Sequence, residues 1–131
     1  IILLLVLRPW GLLGRPEVAE VRYPALPSDP GHALWRRDFA GASGLFSFVL
    51  KRPYARPALA AMLDGMRLFG MGYSWGGFES LILLIDVAKW RSAVPWTAPG
   101  PLFRLSIGLE DAEELIADLA DGFARLAEAS R

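Results

Sequence analysis

The stretch Leu102-Phe103-Arg104-Leu105-Ser106-Ile107-Gly108-Leu109-Glu110-Asp111 passes from a strand pattern to a helix start in one short run. Phe103 to Gly108 alternates, as a half-buried strand does when successive side chains point to opposite faces. Asp111, with Glu114 three residues later, makes a capping box. Leu115, Ile116, Leu119, Phe123 and Leu126 then fall on one helical face. Glu110, Asp111, Glu113 and Glu114 complement the positive end of that helix, and Arg125 lies near its other end. Within the strand, Arg104 is a lone cation among apolar residues.

Upstream, proline and glycine cut the chain into short pieces. Val18 to Tyr23 reads as a strand stopped by Pro24, and Pro24 to Gly31 as a loop, because each proline removes a backbone donor. His32 to Phe39 predicts one or two helical turns, and Leu45 to Leu50 a strand between Gly44 and Lys51-Arg52-Pro53. Ala58 to Met66 predicts an amphipathic helix through Leu59, Met62, Leu63 and Met66. Glu79 to Val87, with its apolar centre Leu81 to Ile85, predicts a buried strand. Strands and helices interleave with no βαβ unit of about 30 residues. The expected fold class is therefore α+β, a small mixed or antiparallel sheet with helices packed on one face.

Composition narrows the function classes. The chain has 131 residues, 53% of them hydrophobic, which suits one domain with a real core. Fourteen basic residues balance 14 acidic ones, leaving no electrostatic footprint for nucleic acid or an acidic membrane. The absence of cysteine removes disulfides, thiolate metal sites and cysteine nucleophiles together, which is compatible with a reducing cytoplasm. Ile1 to Leu7 is apolar, but Arg8 and Pro9 interrupt it well short of the ~20 residues a membrane span requires, so it reads as a buried helix end. An opening on Ile1 rather than Met reads as a fragment.

A second motif, Gly72-Tyr73-Ser74-Trp75-Gly76-Gly77-Phe78-Glu79-Ser80-Leu81, places a hydroxyl and an indole in a glycine-flanked turn. Glycines there allow positive φ or close approach to a ligand, so the turn is either structural or a ligand loop. Phosphate binding does not fit it. Trp75 stands where a dinucleotide fingerprint needs glycine, and no Lys-Ser/Thr follows for a nucleotide loop. Arg104 is either a solvent-facing strand residue, half of a structural ion pair, or a guanidinium fork for a carboxylate. The single histidine, His32, has no serine or aspartate spacing that makes a triad and reads as structural. The carboxylates from Glu110 to Glu114 are explained by helix capping, with no acid–base or metal role.

These two motifs resemble the C-terminal domain of the bacterial cystathionine β-lyases, within the Cys/Met-metabolism family of pyridoxal-phosphate enzymes. Arg15-Pro16-Glu17-Val18, the Tyr23 to His32 run and Asp38 to Phe48 are similar to that domain in the same order. The resemblance covers residues 15 to 126, and it implies a C-terminal substrate-recognition domain over 15–131. Residues 1–14 would be the remnant of a connecting helix, and the N-terminal domain that binds pyridoxal 5'-phosphate would lie outside this sequence.

For the whole enzyme the resemblance implies a cytoplasmic homotetramer. Its reaction would be β-elimination of L-cystathionine, an amino-acid thioether, to homocysteine, pyruvate and ammonia. Arg104 would hold the substrate carboxylate, with Tyr73, Ser74 and Trp75 in the wall beside it. Ser74-Trp75-Gly76-Gly77 leans toward the β-lyase branch, since γ-synthase and γ-lyase relatives typically carry Ser-Leu-Gly-Gly there. No catalytic, cofactor-binding or metal residue is expected in this chain. Only Lys51 and Lys89 occur, and neither has the Ser-x-Thr-Lys context of the family's cofactor lysine. A γ-lyase, γ-synthase or sulfhydrylase of the same family, and a non-enzymatic binding domain, are the alternatives.

Overall fold

The computed structural model describes residues 11–131; the reading of Ile1 to Leu7 as a helix end, and most of the connecting-helix assignment, lies outside them. Within that assignment Leu12–Gly14 forms a single 3-10 turn. The regular elements are β1 (Val18–Arg22), α1 (His32–Asp38), β2 (Leu45–Leu50), α2 (Arg56–Asp64), β3 (Leu81–Ile85), β4 (Leu102–Ser106) and α3 (Ala112–Glu128). The strands form one sheet in the order β1-β2-β4-β3, antiparallel throughout. Of the mixed and antiparallel alternatives, the strands take the second. The parallel pairing among the described residues is an isolated bridge, Gly70 to Leu81.

Register assigns the two faces. Phe48 pairs with Phe103, and their rings stack at 5.0 Å, with Phe123 of α3 at 5.8 Å from Phe48. This face, with Val21, Phe46, Leu50, Ile82 and Leu105, forms one buried cluster with Leu59 and Met62 of α2 and Leu115, Leu119 and Leu126 of α3. The one-residue alternation of a strand then places Arg104 on the opposite face, in a row Arg22–Ser47–Arg104–Leu83. That second face holds Val49, Leu81, Leu102 and Ser106, all buried but outside the helix-side cluster. Loops touch it: the Trp96 ring lies 4.4 Å from the Arg22 guanidinium, and Gly76 N donates to Ser106 Oγ at 3.1 Å.

Element ends differ from the sequence reading for local reasons. Helix α2 begins at Arg56, because Pro57 suits a first helical turn, and it stops at Gly65. Strand β3 starts at Leu81 rather than Glu79, since Ser80 bonds outside the sheet. At α3, Asp111 Oδ1 accepts from Glu113 N at 2.9 Å and Glu114 N at 3.2 Å, which is the N-cap half of the capping box. Arg125 lies in the last turn of α3, as expected, and also serves a neighbour. Its Nε and Nη2 donate to the Ala61 and Met62 carbonyls at 3.1 and 3.2 Å, capping the carboxyl end of α2 and tying α2 to α3.

Candidate functional site

The site is built where β4 meets the loop between α2 and β3. Asp118, fully buried on α3, accepts from the amides of Arg67, Leu68 and Phe69 at 2.8 to 3.2 Å and so fixes the chain as it leaves α2. Gly70 then closes a loop against Ser80: Gly70 N donates to Ser80 O at 3.0 Å, and Ile82 N donates to Gly70 O at 2.9 Å. Between these ends the chain rises past Gly72, Tyr73 and Ser74 and turns at Gly76, whose φ of 78° is a conformation glycine adopts without steric cost.

Arg104 reaches this loop from the sheet. Its Nη2 donates to Tyr73 O at 2.7 Å, with Ser74 O at 3.4 Å and Gly72 O at 3.5 Å. The contact is with the main chain; the Ser74 hydroxyl and Trp75 indole make no bond to the guanidinium. Tyr73 and Trp75 are 82% and 63% exposed, and Phe78 and Leu109 beside them are 76% and 80% exposed. Among the described residues no carboxylate pairs with Arg104, and no acceptor meets its Nε or Nη1. The structural ion pair open on sequence grounds is thus not formed within this region. A partly buried guanidinium anchored through one nitrogen, with donors left on the others, has the chemistry to receive a carboxylate.

Other features lack that chemistry. A groove of about 470 Å³ runs along β1, but its Glu20 and Arg22 are bonded to each other at 2.6 Å, and Asp29 accepts from Gly31 N at 2.8 Å. His32 Nδ1 lies 2.8 Å from Pro24 O and its ring packs near Trp35, a structural position. No cluster of potential metal ligands occurs among the described residues, and no helix there is long and apolar enough to cross a membrane.

The sequence profile of the Cys/Met metabolism PLP-dependent enzymes matches residues 11–124. The chain belongs to this family. Cystathionine β-lyase of Salmonella typhimurium is 52% identical over 118 residues, 88% of this chain and 30% of that protein. An L-alanine/L-glutamate racemase of Wolbachia pipientis is 48% identical over 111 residues, 84% of this chain and 28% of its own length. Among solved structures, a cystathionine γ-synthase from Xanthomonas oryzae, in complex with aminoacrylate and cysteine, superposes with a TM-score of 0.75 at 36% identity, covering 90% of this chain and 31% of that one. The chain spans about 30% of the length of the curated relatives it matches.

The two lysines do not fit covalent attachment of the family's cofactor: neither has the Ser-x-Thr-Lys context, Lys51 is exposed just past the end of β2, and Lys89 is bound to Asp86 at 3.1 Å. Sequence reasoning also missed a second set of residues. Glu110, read as part of the helix start, lies before the Asp111 N-cap and binds Ser80 instead: Oε1 accepts from Ser80 N at 2.8 Å and Oε2 from Ser80 Oγ at 2.7 Å. Its place ahead of the N-cap was the available signal, because only residues past the cap belong to the first helical turn. Burial alone would raise the Glu110 pKa, but the bonds from the Ser80 amide and hydroxyl, with its own amide, hold it below the usual carboxylate value.

Proposed function

We propose that this chain is the C-terminal, substrate-recognition part of a PLP-dependent carbon–sulfur lyase that performs β-elimination of L-cystathionine to homocysteine, pyruvate and ammonia. The observation that carries the reading is Arg104: a cation oriented by Tyr73 O at 2.7 Å and lacking an anion among the described residues. A substrate α-carboxylate supplies that anion, and bidentate pairing fixes the substrate's orientation at a distance from the bond that breaks. Ser74, Trp75 and Tyr73 line the approach, and the exposed rings of this loop present apolar area suited to burial against a preceding domain. That domain holds pyridoxal 5'-phosphate, which supplies the electron sink for carbanion chemistry at Cα. The assembled enzyme is a cytoplasmic homotetramer. Identity of 52% to a β-lyase, against 36% to the γ-synthase, favours β-elimination.

The test is product analysis on the full-length protein with L-cystathionine. Pyruvate with homocysteine is expected. Release of 2-oxobutyrate instead assigns a γ-lyase, and racemisation of alanine or glutamate without elimination assigns the activity named for the Wolbachia relative.

A further inference from the structure

Ser80 is completely buried and every polar atom it carries is bonded. Its amide and hydroxyl donate to the two oxygens of Glu110, its hydroxyl accepts from Gly108 N at 2.9 Å, and its carbonyl accepts from Gly70 N at 3.0 Å. One residue further out, Leu109 N donates to Phe78 O at 2.8 Å. The exit turn of β4 therefore grips the descending limb of the same loop whose ascending limb orients Arg104. Between them, Ser106 Oγ holds the Gly76 amide at 3.1 Å, so Arg104, Ser106 and Glu110 each fasten a different part of the loop.

We propose that Glu110 is a positioning residue for Arg104, acting through Ser80 to hold the Gly72–Ser74 carbonyls where they aim the guanidinium. An ionised carboxylate is suited to this role because it accepts from an N–H and an O–H of one residue without offering a competing donor. That leaves the Ser80 oxygen free to accept from Gly108. The proposal rests on the reading that Arg104 receives the substrate carboxylate.

The experiment is a double-mutant cycle in the full-length protein, with steady-state kinetics on L-cystathionine for Glu110→Ala, Arg104→Ala and the pair. Glu110→Ala is expected to raise KM by about ten-fold while kcat changes by less than about three-fold, since a charge-assisted hydrogen bond is lost away from the reacting atoms. In the Arg104→Ala background the same change is expected to add less than about two-fold, because the group it positions is gone. An equal effect in both backgrounds, or an unchanged KM, overturns the proposal while leaving the role of Arg104 intact. Near wild-type kinetics for Arg104→Ala overturns the role of Arg104 itself, and this proposal with it. Should Glu110→Ala not accumulate as folded protein, Ser80→Ala removes only the hydroxyl half of the contact. It is expected to raise KM by about three-fold with the same loss of effect beside Arg104→Ala, and additivity there counts against the proposal equally.

Discussion

Arg104 Nη2 and the Tyr73 carbonyl oxygen are 2.7 Å apart, joining the centre of β4 to the loop that precedes β3. The bond orients the guanidinium without neutralising it, since a carbonyl is a dipole and not a counter-ion. Among the described residues no carboxylate pairs with this arginine, which separates it from Arg22, Arg37 and Arg67, each of which lies within 4 Å of a carboxylate.

Replacing Arg104 by lysine keeps the charge but loses the planar fork, so one ammonium must choose between the loop carbonyls and the ligand. We expect Arg104→Lys and Arg104→Ala both to reduce kcat/KM for L-cystathionine by at least about ten-fold, from a pair worth ~1.5–3 kcal/mol. Kinetics of the full-length variants check this, and a lysine variant equal to wild type would show that charge alone suffices.

Gly108 sits where no side chain fits. A Cβ there would overlap the Phe78 carbonyl oxygen and approach Glu79 C at 2.6 Å, both backbone atoms that move only if the loop moves. Gly108→Ala is expected to destabilise the protein by about 1–3 kcal/mol, the usual range for overpacking a tight site. Thermal melting measures the loss, and an unshifted Tm would mean the loop yields easily.

Asp118 has no exposure and satisfies the amides of Arg67, Leu68 and Phe69. Asp118→Ala strands those donors, at a cost of about 3 kcal/mol or more, since a buried unsatisfied donor is worth ~1–3 kcal/mol. Hydrogen exchange is the more local readout: the Leu68 and Phe69 amides are expected to lose protection before those of α3.

Glu110 makes stability depend on pH in one direction. With its folded pKa below the unfolded value, its contribution is present above the unfolded pKa and is lost as pH falls through the folded one. Glu110→Gln has no such titration. The stability difference between wild type and this variant is therefore expected to be largest at neutral pH and to shrink below the ordinary carboxylate range, as followed by denaturant midpoints across the acid limb. A constant difference would place the effect in packing rather than charge.

The strands and helices were largely legible because their signals are local. Alternation marked β4, Pro24 ended β1 nearby, and Asp111 identified the start of α3, where its carboxylate does accept from Glu113 N and Glu114 N. Roles that depend on a distant partner were not. Arg125 reads as a helix-end cation by position, yet its acceptors Ala61 and Met62 lie 64 and 63 residues away. Glu110 reads as a capping acid, yet it serves Ser80, 30 residues back.

By itself, the order of residues determined the α+β class and the core face of α3, because composition and periodicity are properties of neighbours along the chain. Only the tertiary structure decided which face of the sheet Arg104 takes, that it meets the main chain of Tyr73 rather than the Ser74 hydroxyl or the Trp75 ring, and that Glu110 and Gly108 lock the loop in place. Those outcomes follow from strand register and backbone approach across about 30 residues of intervening chain, and a hydrogen bond of that kind is set by distance and angle in space.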